Sequence, residues 1–376
     1  MQREFYLDNA ATTKMFEEVW LSSSKFLNEQ FYNPSAVYSK SVQVKREIER
    51  SRDVILSSLS NIDGTLVFTA SATEANNMVV FSQKILPNKR YLFGAGEHPS
   101  VMECAKELMK RGAKVEFIPL DKTGRVDQEK FVSMLGPDVA FISIQHVSNE
   151  TGAINNISKL VKLAKKASSD VKFHSDGVQA FMKFNISVSD LDVDYYTISA
   201  HKIGGAKGVG ALYVKKGAKI SALILGGGQE RTLRSGTENV FAITSFAYAI
   251  EKVLPDIEKN YQTVLAMRTQ LLQELSNQNI AYVIHGEGVP HTMNIMLDKN
   301  IRGETLVHAL EARGVYVSTG SACSATKHFN QTLESMGIDK NEILASIRIS
   351  LSPYMDFDPK IIAQIMREEI DKLKGK

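Results

Sequence analysis

Lys202 stands in Ser199-Ala200-His201-Lys202, directly after the run DYYTISA; 26 residues before it, Asp176 closes another such run, VKFHSD. Taken singly, a lysine is ordinarily a surface group. A lysine and a carboxylate at the ends of two strands are a different matter, because pyridoxal-phosphate (PLP) chemistry uses that pair. The amine forms a Schiff base, and the carboxylate keeps the pyridine nitrogen protonated as an electron sink. Hydroxyl and imidazole donors such as Ser199 and His201 suit the phosphate, and Gln179 follows Asp176 by three positions.

Further polar groups fall at similar places. SASATEANN follows the run TLVFTA and has the periodicity of a helix start, with Ser71 and Glu74 at capping-box spacing. Small residues there, Ala72 and Thr73 among them, let backbone N–H groups approach an anion, although an ordinary helix cap explains the motif equally well. His98, in GEHPSV after RYLFGA, can stack on a flat ring or move protons, and Asn149 in HVSNETG takes the equivalent place after DVAFISIQ. GGAKGVG lacks the Gly-Lys-Ser/Thr ending of a P-loop, and GGGQERTLRSGTEN contains no GxGxxG. The histidines show no metal-ligand spacing, so no metal site is expected.

The elements that position these groups are legible from periodicity. TLVFTA, RYLFGA, KVEFIPL, DVAFISIQHV, VKFHSD, DYYTISA and GALYVKK read as strands. Helical spacing separates several of them, with Val44, Ile48, Ile55 and Leu59 on one face and Leu160, Leu163 and Ala164 on another. Strands apolar on both faces, alternating with helices, predict a mostly parallel α/β sheet whose ligands bind beyond the strands' carboxyl ends. After about residue 255 come a long helical stretch (DIEKNYQTVLAMRTQLLQEL), TMNIMLD, a helix at GETLVHALEARG and an amphipathic C-terminal helix. We expect residues 14–255 to form a large PLP-binding domain, and 1–13 with 256–376 a smaller α+β domain.

Composition narrows the class. The chain has 376 residues, 43% of them hydrophobic, and a net charge of +3, which gives no reason to expect nucleic acid or an anionic membrane as partner. Interleaved charges such as KREIERSRD and REEIDKLKGK read as solvated helix faces. No apolar run approaches the roughly 18 residues that would cross a bilayer, and MQREFYLDNAATTK lacks the apolar stretch of a signal peptide. Two cysteines are too few for a disulfide framework, and a cytoplasmic protein is expected. Cys104, in VMECAKELM, reads as a packed, inert thiol. Cys323 lies among Gly320, Ser321, Ala322, Ser324 and Ala325, residues that suit a flexible loop, with Lys327 and His328 close by to favour its thiolate.

YLDNAATT, NPSA, TASATEANN, EHPSV, SNETG, SDGVQA, SAHKIGGAKGVGALYV, GGGQERTLRSGTENV, STGSACS and SIRISL occur in that order between residues 6 and 351. Together they resemble the cysteine desulfurases of the NifS/IscS type. The resemblance implies a PLP fold-type I homodimer, with a seven-stranded, mostly parallel sheet in its large domain. It implies conversion of L-cysteine to L-alanine and an enzyme-bound persulfide, delivered to an acceptor protein of iron–sulfur assembly or tRNA thiolation. By position it makes Lys202 the Schiff-base lysine, Asp176 the partner of the ring nitrogen and Gln179 a donor to the phenolate oxygen. His98 would stack on the ring and share acid–base work. Ala72, Thr73, Ser199 and His201 would hold the phosphate, with Thr237 reaching in from the second subunit. Asn149 would touch the cofactor and, with Arg348, bind the substrate carboxylate, for which a guanidinium fork is suited. Cys323 would accept the sulfur.

Two stretches depart from the family pattern: Tyr38 in NPSAVY takes the place of a histidine, and SATKHFNQTLESMG after the cysteine differs. Two other readings stand beside this one. Another PLP transaminase or lyase of the same fold has no use for Cys323, and a non-catalytic adaptor of the sulfur relay has no use for Lys202.

Overall fold

Seven runs of β-branched and aromatic residues between positions 65 and 214 build the central sheet of the computed structural model, which describes residues 3–60, 63–320 and 330–375. In chain order the strands are β1 (Phe5–Tyr6), β2 (Thr65–Thr69), β3 (Arg90–Gly94), β4 (Lys114–Ile118), β5 (Val139–Ser143), β6 (Lys172–Asp176), β7 (Tyr195–Ser199), β8 (Gly210–Val214), β9 (Val283–His285), β10 (Thr292–Met296), β11 (Val315–Tyr316) and β12 (Ser346–Ser350). The sheet order is β2-β8-β7-β6-β5-β3-β4. Only β8 runs against its neighbours, so the carboxyl ends of β2, β3, β5, β6 and β7 open on one side. This is the expected α/β sheet of seven strands, mostly parallel. The sense of β8 follows from its short connection to β7, since a parallel neighbour needs a long crossover.

Helices cover both faces because the strands are apolar on both. Helix Ser39–Ser58 turns Val44, Ile48 and Ile55 inward, and helix Ile157–Ala167 does the same with Leu160 and Ala164, while Leu163 packs only partly buried against that core. Cys104 is buried in helix Pro99–Lys110, its thiol donating to the Ser100 carbonyl at 3.1 Å. Burial pushes that thiol up to about 11. At neutral pH it is inert.

A second apolar cluster joins Phe5 and Leu7 to side chains from Val264 through Ile370. Its framework is the antiparallel set β12-β10-β9, the parallel pair β1-β11, and helices Ile257–Asn277, Gly303–Glu311 and Pro359–Leu373. Val289, Leu333 and Met336 instead pack with the larger core.

Two charged runs are less solvated than their composition suggests. Arg52 in KREIERSRD is 3% exposed and makes a two-pronged pair with buried Glu230, at 2.8 and 2.9 Å. Glu369 in REEIDKLKGK is buried too and takes Arg313 at 2.6 Å and Lys372 at 2.7 Å. Among the described residues no helix is long and apolar enough to cross a membrane.

Candidate active site

The carboxyl ends of β2, β3, β5, β6 and β7 wall a cavity of about 1190 Å³, and β12 closes it from the second cluster. Ala72, Thr73, His98, Asn149, Asp176, Gln179, His201, Lys202 and Arg348 all line it. Ser199 does not: it is buried in β7, paired with Gly210. Thr237 is exposed in the loop before helix Val240–Val253, away from this wall. Cys323 lies outside the described residues.

Lys202 leaves the sheet on the short turn Ala200–Lys202 after β7. Its Nζ donates to the carbonyls of Ala10 and Ala11, at 2.5 and 2.6 Å, so the NAATT segment lies across it. Gln179 Nε2 donates to the same Ala10 oxygen at 2.9 Å. Burial, with Arg348 nearby, brings the Lys202 ammonium down to about 8. A lysine so placed gives up its proton at a lower pH than an ordinary one and is mostly the neutral, nucleophilic amine above about pH 8.

Asp176 ends β6 with both oxygens engaged: Oδ1 accepts from Val178 N–H at 3.0 Å, and Oδ2 from Asn76 Nδ2 at 2.8 Å. The other hydrogen of the same Asn76 amide goes to Ser100 Oγ at 2.8 Å, and that hydroxyl meets His98 Nδ1 at 2.8 Å. One fully buried amide therefore aligns the carboxylate with the imidazole. Ser100 N–H also donates to His98 Nδ1 at 3.1 Å, which assigns the ring proton of the neutral form to Nε2. Burial lowers the His98 pKa and favours that neutral form.

Beneath them, Glu97 accepts from the N–H of Gln145 and lies 3.5 Å from Ser143 Oγ. Burial, and then the neighbouring Asp176, push its carboxyl up to about 8. Ser143 meets His174 Nδ1 at 2.8 Å, and His174 Nε2 meets Thr197 Oγ1 at 3.1 Å.

Helix Ala72–Phe81 starts at the cavity. Ser71 Oγ accepts from Glu74 N–H at 3.2 Å as the spacing predicts, whereas Glu74 reaches back to Ala70 N–H (2.8 Å) rather than to the cap residue. The first-turn N–H groups of Ala72 and Thr73 precede any helical carbonyl that would accept them, which suits them to a phosphate. Gly210 of β8 makes this close approach feasible, since a Cβ there would sit 2.6 Å from Ala72 N. His201 joins this end, its Nδ1 3.1 Å from Thr12 Oγ1. Burial takes its pKa down to about 4, so it contributes as a neutral ring.

Arg348 enters from β12. Its Nη2 donates to Asp8 at 2.9 Å, and its Nη1 donates to the Asn149 carbonyl at 3.1 Å and to Glu150 at 3.4 Å. Asp8, Glu150, Asn76, Ser100 and Glu97 were not singled out from sequence, although each sits inside a motif quoted above. Their partners are distant in the chain, 340 positions in the case of Asp8 and Arg348.

A strand-end lysine with a lowered pKa, a fixed carboxylate below it and a helix N-terminus at the far end fit PLP by the chemistry of their donors. Comparison with known proteins agrees. The chain is 34% identical over its full length to the cysteine desulfurase IscS of Dictyoglomus turgidum, spanning 96% of that protein. It is 32% identical to IscS 1 of Archaeoglobus fulgidus, over 98% of each chain. A solved NifS-like protein superposes with a TM-score of 0.91 at 31% identity, covering all of both chains. The aminotransferase class-V sequence model matches residues 5–359, and the protein belongs to that family.

Proposed function

We propose that this protein is a PLP-dependent cysteine desulfurase: L-cysteine and the Cys323 thiol give L-alanine and a Cys323 persulfide. The carbon–sulfur bond of the substrate breaks, a sulfur–sulfur bond forms, and the thiol proton ends on the alanine methyl group. The observation that carries this reading is the single cavity holding Lys202, Asp176, His98 and Arg348, in a chain whose full-length relatives are cysteine desulfurases.

Lys202 would hold the cofactor, Asp176 its ring nitrogen, Gln179 its phenolate oxygen and His98 its ring face. Ala72, Thr73 and His201, which line the cavity, would hold the phosphate; Ser199 is proposed to reach it from its buried place in β7, and Thr237 from a second copy of the chain. When bound, the cofactor supplies an electron sink for charge developing at the substrate α-carbon. Arg348 and Asn149 orient the substrate through its α-carboxylate. The Lys202 amine, neutral above about pH 8, takes the α-proton at its Nζ. His98 Nε2–H faces the same cavity as a proton donor.

The proposed working unit is a homodimer, and Val37 and Leu225, 95% and 84% exposed, are apolar groups suited to such a contact. The division at residue 255 is proposed to separate a cofactor-holding body from a smaller body that brings Arg348 and the Cys323 segment. The proposed setting is the cytoplasm, with an iron–sulfur scaffold or tRNA-thiolation enzyme as sulfur acceptor.

Replacing Cys323 with serine tests the reading. The Cys323→Ser protein should still change colour with L-cysteine, because Lys202 and Arg348 are intact, while sulfide and alanine production collapses. Near-normal desulfuration by this variant would favour another PLP lyase or a transaminase.

A further inference from the structure

Glu150 follows Asn149 in SNETG, is 1% exposed, and divides its oxygens between two sets of partners. Oε1 accepts from Asn149 Nδ2 at 2.7 Å and from Arg348 Nη1 at 3.4 Å. Oε2 accepts from Asn330 Nδ2 at 2.7 Å and lies 2.2 Å from where a Cβ on Gly320 would sit. Gly320 and Asn330 flank the stretch 321–329 that contains Cys323 in sequence. Gly320 also has a φ of +83°, so both conformation and space call for glycine there. Ser318, two residues earlier, exchanges both backbone hydrogen bonds with Arg348, at 2.6 and 3.1 Å. Asn330 is held from its other side, its Oδ1 capping helix Gln331–Ser335 through Leu333 N–H at 3.2 Å.

A buried carboxylate is costly unless its oxygens are satisfied. Glu150 has both oxygens satisfied only when the Arg348–Asn149 pair and Asn330 are in place together, and Gly320 leaves it room. We propose that Glu150 is a positioning residue that sets Gly320 and Asn330, and so the start and end of the Cys323 segment, against the Arg348–Asn149 clamp. The proposal rests on the desulfurase reading: the clamp fixes one end of L-cysteine, and the acceptor thiol must meet the sulfur at the other. An offset of about an ångström between the two is enough to cost roughly a hundredfold in rate.

The substitution Glu150→Gln keeps the size but replaces one acceptor oxygen with an NH₂ donor, so one partner set must lose its bond. Asn330→Ala cuts the Oε2 side and leaves the Oε1 side intact, with loss also of the cap on Leu333 N–H. Both variants are assayed as holoenzymes with a thiol reductant to clear the persulfide. Asn330→Ala should lower kcat about tenfold with KM within about twofold of wild type, and Glu150→Gln should lower kcat and raise KM, each about tenfold. The double variant should fall no further in kcat than Glu150→Gln alone, because the two changes cut one connection. A second readout needs no turnover. In the holoenzyme before substrate is added, an aromatic disulfide reagent should report on Cys323, because Cys104, the other cysteine, is buried. Its labelling rate should change by the same factor in the two variants, about threefold or more. Wild-type kcat, KM and labelling rate in Glu150→Gln would overturn the proposal, as would strictly additive effects of the two substitutions. If Glu150→Gln does not fold, Asn330→Ala decides alone: lowered kcat with an altered labelling rate supports the role, and unchanged values refute it. Failure of the wild type to release sulfide from L-cysteine would instead sink the desulfurase reading, and the labelling comparison would still judge Glu150.

Discussion

Asn76 spends both amide hydrogens on the site, one on Asp176 and one on Ser100 beneath His98. Asn76→Leu leaves a buried carboxylate oxygen without its donor, a loss of about 1–3 kcal/mol, or roughly 5- to 150-fold in kcat/KM. The check is steady-state kinetics on a variant shown by circular dichroism to be folded; wild-type values would remove Asn76 from the site. If Arg348 holds the substrate carboxylate as proposed, Arg348→Ala should cost more, roughly 2–5 kcal/mol in kcat/KM, because that desolvated carboxylate is left unpaired. Lys202 makes a pH prediction. Its ammonium is lowered to about 8, and only the neutral amine reacts with an aldehyde. Cofactor uptake by the apoprotein should rise with pH and level off above about 8, whereas an ordinary lysine would keep gaining past 10. Lys202 and Asp176 were legible from sequence because each closes an apolar run. Asn76, Asp8 and Glu150 were not, because their partners are set by the folded sheet rather than by local spacing.

Arg52 shows the same limit in an element. Helix Ser39–Ser58 carries its charges at intervals that read as a solvated face, yet Arg52 points inward to Glu230, 178 positions away, and to the Leu66 carbonyl at 2.7 Å. Glu230 in turn accepts from Phe68 N–H at 2.8 Å, so the pair ties β2 to the loop leading towards Thr237. Removing one member leaves the other charged and buried. Arg52→Met should therefore lower unfolding free energy by about 3–5 kcal/mol, read as a shift in urea midpoint at unchanged slope. A shift near zero would mean that Glu230 finds solvent or another cation. The seven central strands were readable because they are apolar on both faces and bounded by turns. β1, β9 and β11 carry two or three residues each, too few for a period, and the reversed sense of β8 is a property of its connection rather than of its composition.

The C-terminal part of the chain brings Arg348 to the cavity at the strand ends of the central sheet, and it also carries Cys323 in sequence. If Thr237 completes the phosphate site of a second copy, sedimentation at dilute concentration should give about twice the chain mass of 41.7 kDa. Thr237→Ala should then loosen the cofactor without disturbing the fold, and a fully loaded, active monomer would refute the shared site. The proposed transfer of sulfur from L-cysteine to Cys323 can be followed in a single turnover. Loaded enzyme mixed with one equivalent of L-cysteine, quenched and digested, should yield one equivalent of alanine and a Cys323 peptide heavier by one sulfur. A turnover that yields alanine with no added sulfur on that peptide, or with the sulfur on Cys104, would rule out Cys323 as the acceptor.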